Sequence, residues 1–305
     1  MEASVVIPFY NAEATLTRAI DSVLTQQNVT LEILLIDNNS TDKSLAIAQS
    51  YADKHPHVTL TIESNQGTNH ARNLGLSLAT KEWIQYLDAD DILLPLKIFN
   101  QLSLDNLSQT DIISSPITEH TIEGKIINYS VSELDDIWLS LLKGKIGWTC
   151  SNLWRRSALL DIGGWNTDYT SHQEKELMAR LIMEEKQFSF YDQSECIVYE
   201  QNKSVSNRAD FPMTGIKFMK FLTHYFKSND ILGPKREKVI HNQLYHKYLM
   251  AYKVNPKEAM KAMFETSLKL DLIDIPFRHQ LLISIIGLHN TFSMLKILEI
   301  GRAHV

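Results

Sequence analysis

Three carboxylates stand together directly after an apolar segment. Asp88, Asp90 and Asp91 follow residues 83–87, whose aromatic and branched side chains predict a buried strand. Because side chains alternate faces along a strand, Asp88 and Asp90 are expected to start on the same side. Like charges this close stay ionised together only where a cation lies between them, and oxygen ligands favour Mg2+ or Mn2+. The alternative is that Asp90 or Asp91 caps the helix that begins near Pro95.

The elements that must position these carboxylates alternate between strand and helix patterns. Strands are predicted at 5–8, 31–36, 58–62 and 83–87, and helices at 12–26, 43–54 and 69–79. Such a series predicts a parallel sheet with helices on both faces, whose ligands bind beyond the carboxyl ends of the strands. A short strand at 112–115 and a β-hairpin over 118–129 follow. From Phe211 onward the spacing is helical, with breaks at Gly233-Pro234, Asn255-Pro256 and Ile275-Pro276.

Polar residues follow each of the first four predicted strands. They are Tyr10-Asn11, Asp37 to Ser40, Glu63 to Gly67, and Asp88 to Asp91. Helix capping by Ser40 or Thr41 is one explanation of the second group; the other is that Asp37 and Asn38 present acceptors to the ring N–H of a nucleobase. The chain has neither the G-x-G-x-x-G spacing of a dinucleotide fold nor a P-loop, which disfavours NAD and P-loop chemistry.

The composition is that of a globular α/β protein. The 305 residues are 44% hydrophobic and 22% charged, which excludes a disordered chain. A net charge of -6 argues against nucleic acid as the main partner. Two cysteines, Cys150 and Cys196, imply no disulfide framework or zinc site and fit a reducing cytoplasm. We expect no signal peptide and no transmembrane helix.

The strand-end motifs resemble, in order and spacing, those of glycosyltransferase family 2, which has the GT-A fold. The motifs are Pro8-x-Tyr10-Asn11, Asp37-x-x-Ser40-Thr41-Asp42, Asn65-x-Gly67 with Ala71-Arg72-Asn73-x-Gly75, and Leu87-Asp88-Ala89-Asp90-Asp91. The resemblance covers roughly the first two-thirds of the chain and continues through Ile162-Gly163-Gly164-Trp165 and His172 to Leu177.

The resemblance implies a fold and a set of roles. The expected fold is α/β, a Rossmann-like mixed sheet that binds a nucleotide-sugar over residues 1–209, with a helical extension over 210–305. The implied donor-binding residues are Pro8, Tyr10, Asn11, Asp37, Asn38, Asn65, Gly67, Arg72, Asp88 and Ala89. Asp88 would face the ribose, and Asp90, with Asp91, would hold Mn2+ or Mg2+. Glu174 would be the catalytic base of an inverting transfer; alternatively, it is a solvated residue in the first turn of a helix.

Three positions depart from the family pattern. Asn38 stands where the family commonly has a second aspartate, so that uridine recognition stays open. Gln173-Glu174 replaces an acidic pair. Asn202 lies where related enzymes often carry a basic residue near the diphosphate, and Lys203 is a hypothetical substitute. We expect Glu176 to be surface charge.

The acceptor side and the termini give further expectations. Trp148 and Trp165 are candidates for stacking on an acceptor sugar, although tryptophan is also a frequent core residue. The C-terminal helices could bind a membrane surface or a partner, whereas amphipathic helices more often cover a core. The last seven residues, 299–305, look like the translation of a sequencing adapter, so we expect that the native C-terminus is absent.

The predicted function is inverting transfer of a sugar from a nucleotide-sugar, with UDP as the expected nucleotide, to a glycan or lipid-linked acceptor in cell-surface polysaccharide synthesis. The expected location is the cytoplasm, with peripheral membrane contact as an extension of that prediction. The competing hypothesis is a catalytically silent family member that binds a nucleotide-sugar or an assembly partner. A nucleotidyltransferase is a third alternative, disfavoured because a glycine-rich N-terminal phosphate loop is absent.

Overall fold

The structure is a computed structural model that describes residues 1–132, 136–201, 209–266 and 268–274. The chain divides into two compact units, Met1–Ser204 and Val205–Val305. The sequence predicts a domain boundary between residues 209 and 210, and this boundary stays a prediction. Lys203, Asn202, the Ile275-Pro276 break and the last seven residues lie outside the described part of the chain.

The first unit begins with the predicted alternation of strands and helices. The elements are β1 (Glu2–Phe9), α1 (Leu16–Leu24), β2 (Thr30–Asp37), α2 (Ser44–Lys54), β3 (Val58–Ile62), α3 (Thr68–Leu78), β4 (Trp83–Tyr86), β5 (Ile92–Leu93) and α4 (Lys97–Leu102). There follow β6 (Ile112–Ser114), β7 (Ile117–His120), β8 (Ile126–Tyr129), α5 (Ile137–Leu142), β9 (Leu153–Arg155), α6 (Arg156–Asp161), α7 (Gln173–Met183), β10 (Phe188–Phe190) and β11 (Cys196–Tyr199). The predicted α/β class and the hairpin β7–β8 are confirmed.

Among the described residues, seven strands form the main sheet, in the order β10-β6-β9-β4-β1-β2-β3. Strands β4, β1, β2 and β3 are parallel, whereas β9 runs antiparallel to both β4 and β6. The chain proceeds from β1 outward to β3 and then returns to the other side of β1 as β4, which makes a switch point between β1 and β4. Open sheets of this kind bind ligands at such a point. A second sheet has the order β5-β11-β7-β8.

Helices cover both faces of the main sheet. Val5 and Ile7 of β1 lie in one buried cluster with Leu16 of α1. Val6, which stands between them in the strand, faces α3 instead. There a Cβ added to Gly75 would lie 2.3 Å from Val6 Cγ1. Because successive strand residues point to opposite faces, α1 and α3 lie on opposite sides of β1, as the mixed, two-faced sheet predicted from sequence requires.

The second unit is helical, as predicted. It contains α8 (Phe211–Ser228), α9 (Gly233–Val254) and α10 (Pro256–Thr266). The breaks predicted at Gly233-Pro234 and Asn255-Pro256 are the junctions between these helices, since proline is tolerated in a first helical turn but ends a preceding helix. In the part of the chain that the structure describes, no helix has both the length and the apolar content that crossing a membrane requires.

Candidate active site

The loops that follow β1 and β2 are joined by side-chain hydrogen bonds. The backbone N–H of Asn11 donates to Ser40 Oγ over 3.1 Å, and the N–H of Thr41 donates to Asn11 Oδ1 over 2.8 Å. Asp37 is buried and accepts from the N–H of Ser40 over 3.2 Å. Tyr10 is 51% exposed beside this junction. Pro8 lies inside β1, opposite Ile36 of β2, so that it shapes the strand that precedes the loop.

Asn38 organises the loop that follows β3. Its amide N–H groups donate to the carbonyl of Glu63 over 3.1 Å and to that of Asn65 over 2.7 Å. Its Oδ1 accepts from the N–H of Gly67 over 2.7 Å, and Gly67 has a φ of 137° that a glycine tolerates. Asn38 is 3% exposed. Its amide is thus engaged in shaping the 63–67 loop, while Asn65 is exposed on that loop.

Arg72 of α3 joins the end of β4 to the start of α7. Its Nη2 donates to Asp88 Oδ1 over 2.8 Å, and its Nη1 donates to Gln173 Oε1 over 2.9 Å. The guanidinium carbon lies 4.4 Å from the centre of the Trp165 ring. Trp165 itself is 2% exposed and packs edge-on against Tyr86. It is therefore a core residue that supports Arg72, and we withdraw it as an acceptor-stacking candidate.

The carboxylates after β4 differ in their surroundings. Burial, and then the charge of Asp88, raises the pKa of Asp90 to about 6. Asp91 is buried, and its Oδ1 accepts from the N–H of Tyr199 in β11 over 3.1 Å; burial raises its pKa well above the usual range. Ala89, between Asp88 and Asp90, is buried. Arg18 of α1 donates to the carbonyl of Asp90, a contact that the sequence analysis missed.

Glu174 stands in the first turn of α7, half-buried. Its Oε2 accepts a hydrogen bond of 2.8 Å from the hydroxyl of Thr149. Burial raises the pKa of Glu174; the Thr149 hydrogen bond and the charges of Lys175 and Arg72 oppose that rise, whereas the charge of Asp88 adds to it. The charges of Arg72 and Asp88 thus both act on the Glu174 carboxyl group.

The asparagines of α3 attach the segment that leads to α7. Asn73 exchanges two hydrogen bonds with the backbone of Trp165, each of 2.8 Å. Asn69 donates to the carbonyl of Asn166 over 2.7 Å. Asn73 was part of the motif recognised in the sequence, but its partner lies 92 residues away in the chain. Local spacing gave no signal of that partner.

Glu176 corrects one expectation. It was expected to be surface charge, but it is 3% exposed and accepts from Arg180 Nε over 2.8 Å. Arg180 also donates to the carbonyls of Ile162 and Gly164, each over 2.7 Å. The pair therefore ties α7 to the glycine turn before it, and it fixes the helix that carries Glu174.

Trp148, the neighbour of Thr149 in sequence, contacts a second aromatic side chain, Tyr129. Trp148 is half-buried, and its ring centroid lies 5.3 Å from that of Tyr129 in the exposed strand β8. Tyr129 donates from its hydroxyl to Glu119 Oε2 over 2.8 Å. Trp148 thus remains an acceptor candidate, and Tyr129 joins it. Within the described residues, no cluster of three or more His, Cys, Asp or Glu side chains is arranged to hold a metal.

Known proteins resemble this chain in sequence and in fold. The minor teichoic acid biosynthesis protein GgaB of Bacillus subtilis is 26% identical over 87% of this chain and 30% of its own length. The crystal structure of S. aureus TarS with UDP-GlcNAc superposes with a TM-score of 0.58 at 16% identity, over 89% of this chain and 77% of that one. The Pyrobaculum calidifontis mannosyltransferase PcManGT with GDP-Man and Mn2+ gives 0.56 at 17%, over 99% and 85%.

At these identities the two structures establish the fold, and they support the predicted GT-A architecture. The chain spans 27%, 57% and 30% of the length of three curated relatives that it matches. The family model of glycosyl transferase family 2 matches residues 4–159, just over half of the 305 residues. The chain belongs to glycosyl transferase family 2.

Proposed function

We propose that this protein transfers a sugar from a nucleotide-sugar to an acceptor hydroxyl. The observation that carries the proposal is the double contact of Arg72, which joins Asp88 at the strand ends to Gln173, the neighbour of Glu174. A donor-side carboxylate and a candidate base thereby share one site. The names of the relatives and structural neighbours, which include a teichoic acid biosynthesis protein and a mannosyltransferase, agree with such chemistry.

The donor that we propose is a UDP-sugar. Its base would lie near Asp37 and the loop that Asn38 organises, and its ribose would face Asp88. The UDP-GlcNAc bound to the TarS neighbour supports this choice, whereas the GDP-Man bound to PcManGT shows that the fold also accepts a purine nucleotide. The direct test is therefore a comparison of both nucleotide classes.

The site suits a hard divalent cation. Asp90 and Asp88 are neighbouring carboxylates; burial and the charge of Asp88 raise the pKa of Asp90, and a cation beside Asp90 would favour its ionised form. Mg2+ typically takes one or two protein carboxylates, and substrate phosphates complete its shell, so a site without three protein ligands fits. We propose Asp90 as the ligand, with Asp91 behind it, fixed by Tyr199. A bound Mn2+ or Mg2+ would neutralise charge on the leaving diphosphate.

Glu174 is the proposed catalytic base. It would accept the proton of the acceptor hydroxyl as that oxygen attacks the anomeric carbon from the side opposite the diphosphate, which inverts the configuration. Its raised pKa matches this role, because a base works best when its pKa approaches the working pH. Such help typically accelerates a reaction by about 10²- to 10⁴-fold.

The proposed acceptor is a glycan or a lipid-linked sugar of a cell-surface polysaccharide. Tyr129 and Trp148 present aromatic rings next to the Thr149 turn, and aromatic faces bind sugar rings well. The teichoic acid relative supports this setting. A cytoplasmic location, with peripheral contact at the inner membrane face, is part of the same proposal.

A donor screen tests the function. Release of the nucleotide from UDP- and GDP-sugars is measured with Mn2+, for the full chain and for Glu174→Gln, Asp90→Asn and Glu184→Gln. We expect a UDP-sugar to be turned over, with losses of about 10²-fold or more in the first two variants. Glu184, exposed at the other end of α7, is the control and should keep wild-type activity. Binding without turnover would instead support the catalytically silent alternative.

A further inference from the structure

The turn that precedes β9 is held rigidly by its own residues. Gly147 has a φ of 75°, and a Cβ added there would lie 2.0 Å from Asn152 Oδ1. The N–H of Trp148 donates to Ser151 Oγ over 2.9 Å, and the amide of Asn152 donates to the carbonyl of Ile146 over 3.1 Å. The backbone on either side of Thr149 is therefore fixed without help from a ligand.

The same turn is anchored to the strand that ends at the donor site. Trp154 of β9 pairs with Ile84 of β4 in antiparallel register, and Asp88 lies two residues after the end of β4. Thr149 itself is 4% exposed, and its hydroxyl is 2.8 Å from Glu174 Oε2. Pairing of β9 with β4 thus anchors the turn that carries Thr149 near the strand that leads to Asp88, and the Thr149 hydroxyl contacts Glu174 directly.

We propose that Thr149 is a positioning residue for the base: its hydroxyl holds Oε2 of Glu174 and directs Oε1 to the acceptor hydroxyl. The inference rests on the proposed role of Glu174. A carboxylate in its ionised form only accepts hydrogen bonds, so the threonine must donate. A donor fixed on Oε2 selects one orientation of the carboxylate, and proximity in a defined orientation is a large part of catalysis.

The same hydrogen bond favours the ionised form of Glu174. Burial of the carboxyl group opposes ionisation, as does the negative charge of Asp88, whereas the positive charges of Lys175 and Arg72 favour it together with the Thr149 hydroxyl. A hydrogen bond to the charged form lowers the pKa of an acid. Removal of the hydroxyl should therefore raise the pKa of Glu174 and leave less of the base ionised at neutral pH.

The pH dependence of kcat in Thr149→Val tests the inference. This substitution keeps the shape of the side chain and removes the donor. We expect the acidic limb of the profile to move up by about one pH unit, a typical size for the loss of such a hydrogen bond, with the KM of the donor unchanged. Thr149→Ser restores a hydroxyl and should restore the wild-type profile. A serine variant that behaves like the valine variant would overturn the inference.

Thr110→Val is the matched control. Thr110 is 1% exposed and its hydroxyl is also hydrogen-bonded, to the carbonyl of Asn106 over 2.9 Å, but it lies outside the site. Thr110→Val should lose stability and keep the wild-type pH dependence of kcat. If Thr149→Val does not fold, Thr149→Ala removes the same hydroxyl with a smaller side chain, and the same shift is expected.

Glu174→Gln separates the two proposals. Full transfer activity in that variant would refute the proposed base, and with it the function of Thr149. Loss of activity in Glu174→Gln together with an unshifted profile in Thr149→Val and Thr149→Ala would refute the role of Thr149 alone.

Discussion

Arg72 holds Asp88 directly: its Nη2 is 2.8 Å from Asp88 Oδ1. The guanidinium side chain is 5% exposed, and the carboxylate is 37% exposed. The planar fork of arginine can serve Asp88 and Gln173 at once, which the single ammonium of a lysine cannot do with the same geometry. Arg72 thus connects Asp88, which we propose to face the donor, to Gln173, the neighbour of the proposed base Glu174.

Arg72→Lys is the first prediction. The variant keeps the charge but loses one of the two hydrogen bonds, so we expect a loss of about 1.5–3 kcal/mol in the free energy of unfolding, the range for hydrogen bonds to charged groups. We also expect weaker donor binding, measured by calorimetry. Arg155→Lys is the control, because Arg155 donates to the carbonyls of Thr110 and Leu107 away from the site. Donor binding by Arg72→Lys that is as tight as binding by Arg155→Lys would mean that the contacts of Arg72 have no role in donor binding.

The second prediction concerns Asn38→Asp, which restores the residue common in the family. An aspartate cannot donate to the carbonyls of Glu63 and Asn65, and its charge would face those oxygens. We therefore expect the 63–67 loop to loosen, at about 1–3 kcal/mol for the unpaired groups, with weaker nucleotide binding. Urea unfolding and calorimetry measure the two effects.

Asn39→Asp serves as its control. Among the described residues, the Asn39 side chain donates a single hydrogen bond, to the carbonyl of Ser64 over 2.8 Å, and this bond is exposed. We therefore expect a smaller loss of stability for Asn39→Asp than for Asn38→Asp. Tighter UDP-sugar binding by Asn38→Asp than by the wild type would contradict a shaping role and would favour direct recognition of the base at this position.

The first four strands and their polar ends could be predicted from sequence, because strand and helix periodicities are local signals. The parallel arrangement then brings Asp37 and Asp88 to one edge of the sheet without further information. The resemblance to the family added Glu174, which local pattern alone would have left as a solvated helix residue.

The partners of Asp91 and Glu176 could not be predicted in the same way. Asp91 is fixed by Tyr199, which lies 108 residues later. Glu176 has the spacing of an ordinary surface pair with Arg180, and only the glycine turn against which Arg180 packs places both inside the protein. Identical local patterns can thus face either solvent or core, and tertiary contacts decide between the two.

The third prediction is that Mn2+ binding without nucleotide weakens as the pH falls through about 6. The pKa of Asp90 is raised to about 6 by burial and by the charge of Asp88, and metal must displace the proton from this ligand. Below that pH we expect the affinity to fall by about tenfold per unit, because one proton competes. Titration of the Mn2+ EPR signal measures it.

Two variants check this assignment. Asp90→Asn should bind Mn2+ weakly at every pH, and Asp105→Asn, which alters an exposed loop residue, should keep the wild-type dependence. An affinity that stays constant between pH 5 and pH 7 would show that another group holds the metal.

The fourth prediction is that Gly75→Ala destabilises the contact between α3 and β1. The new Cβ would lie 2.3 Å from Val6 Cγ1, and a β-branched side chain in a strand has little room to move. We expect a loss of about 1–3 kcal/mol, the usual cost of overpacking, measured by urea unfolding. In a double-mutant cycle, Val6→Ala should recover part of that loss. Strictly additive effects would mean that the helix shifts away instead.

The fifth prediction concerns Lys97, whose side chain is fully buried and donates to Gln85 Oε1. Burial lowers its pKa to about 7, against the opposing influence of Cys196, Cys150 and Glu195. Between that pH and the ordinary lysine pKa of about 10.4, the unfolded chain binds one proton more than the folded chain. Protonation then favours unfolding, so the stability contributed at this position rises with pH, with a limiting slope of about 1.4 kcal/mol per pH unit.

Lys97→Met should remove this slope. The substitution removes a buried titratable group, but it also leaves Gln85 Oε1 without its donor. These two effects oppose each other in the free energy of unfolding at any one pH, so only its pH dependence reports the titration of Lys97. We expect urea unfolding between pH 7 and pH 10 to give a flatter profile for Lys97→Met than for the wild type. Lys54→Met, which removes an exposed lysine at the end of α2, should keep the wild-type slope. Equal slopes in all three proteins would mean that Lys97 stays protonated in the folded protein throughout this range, held by its neighbours despite its burial.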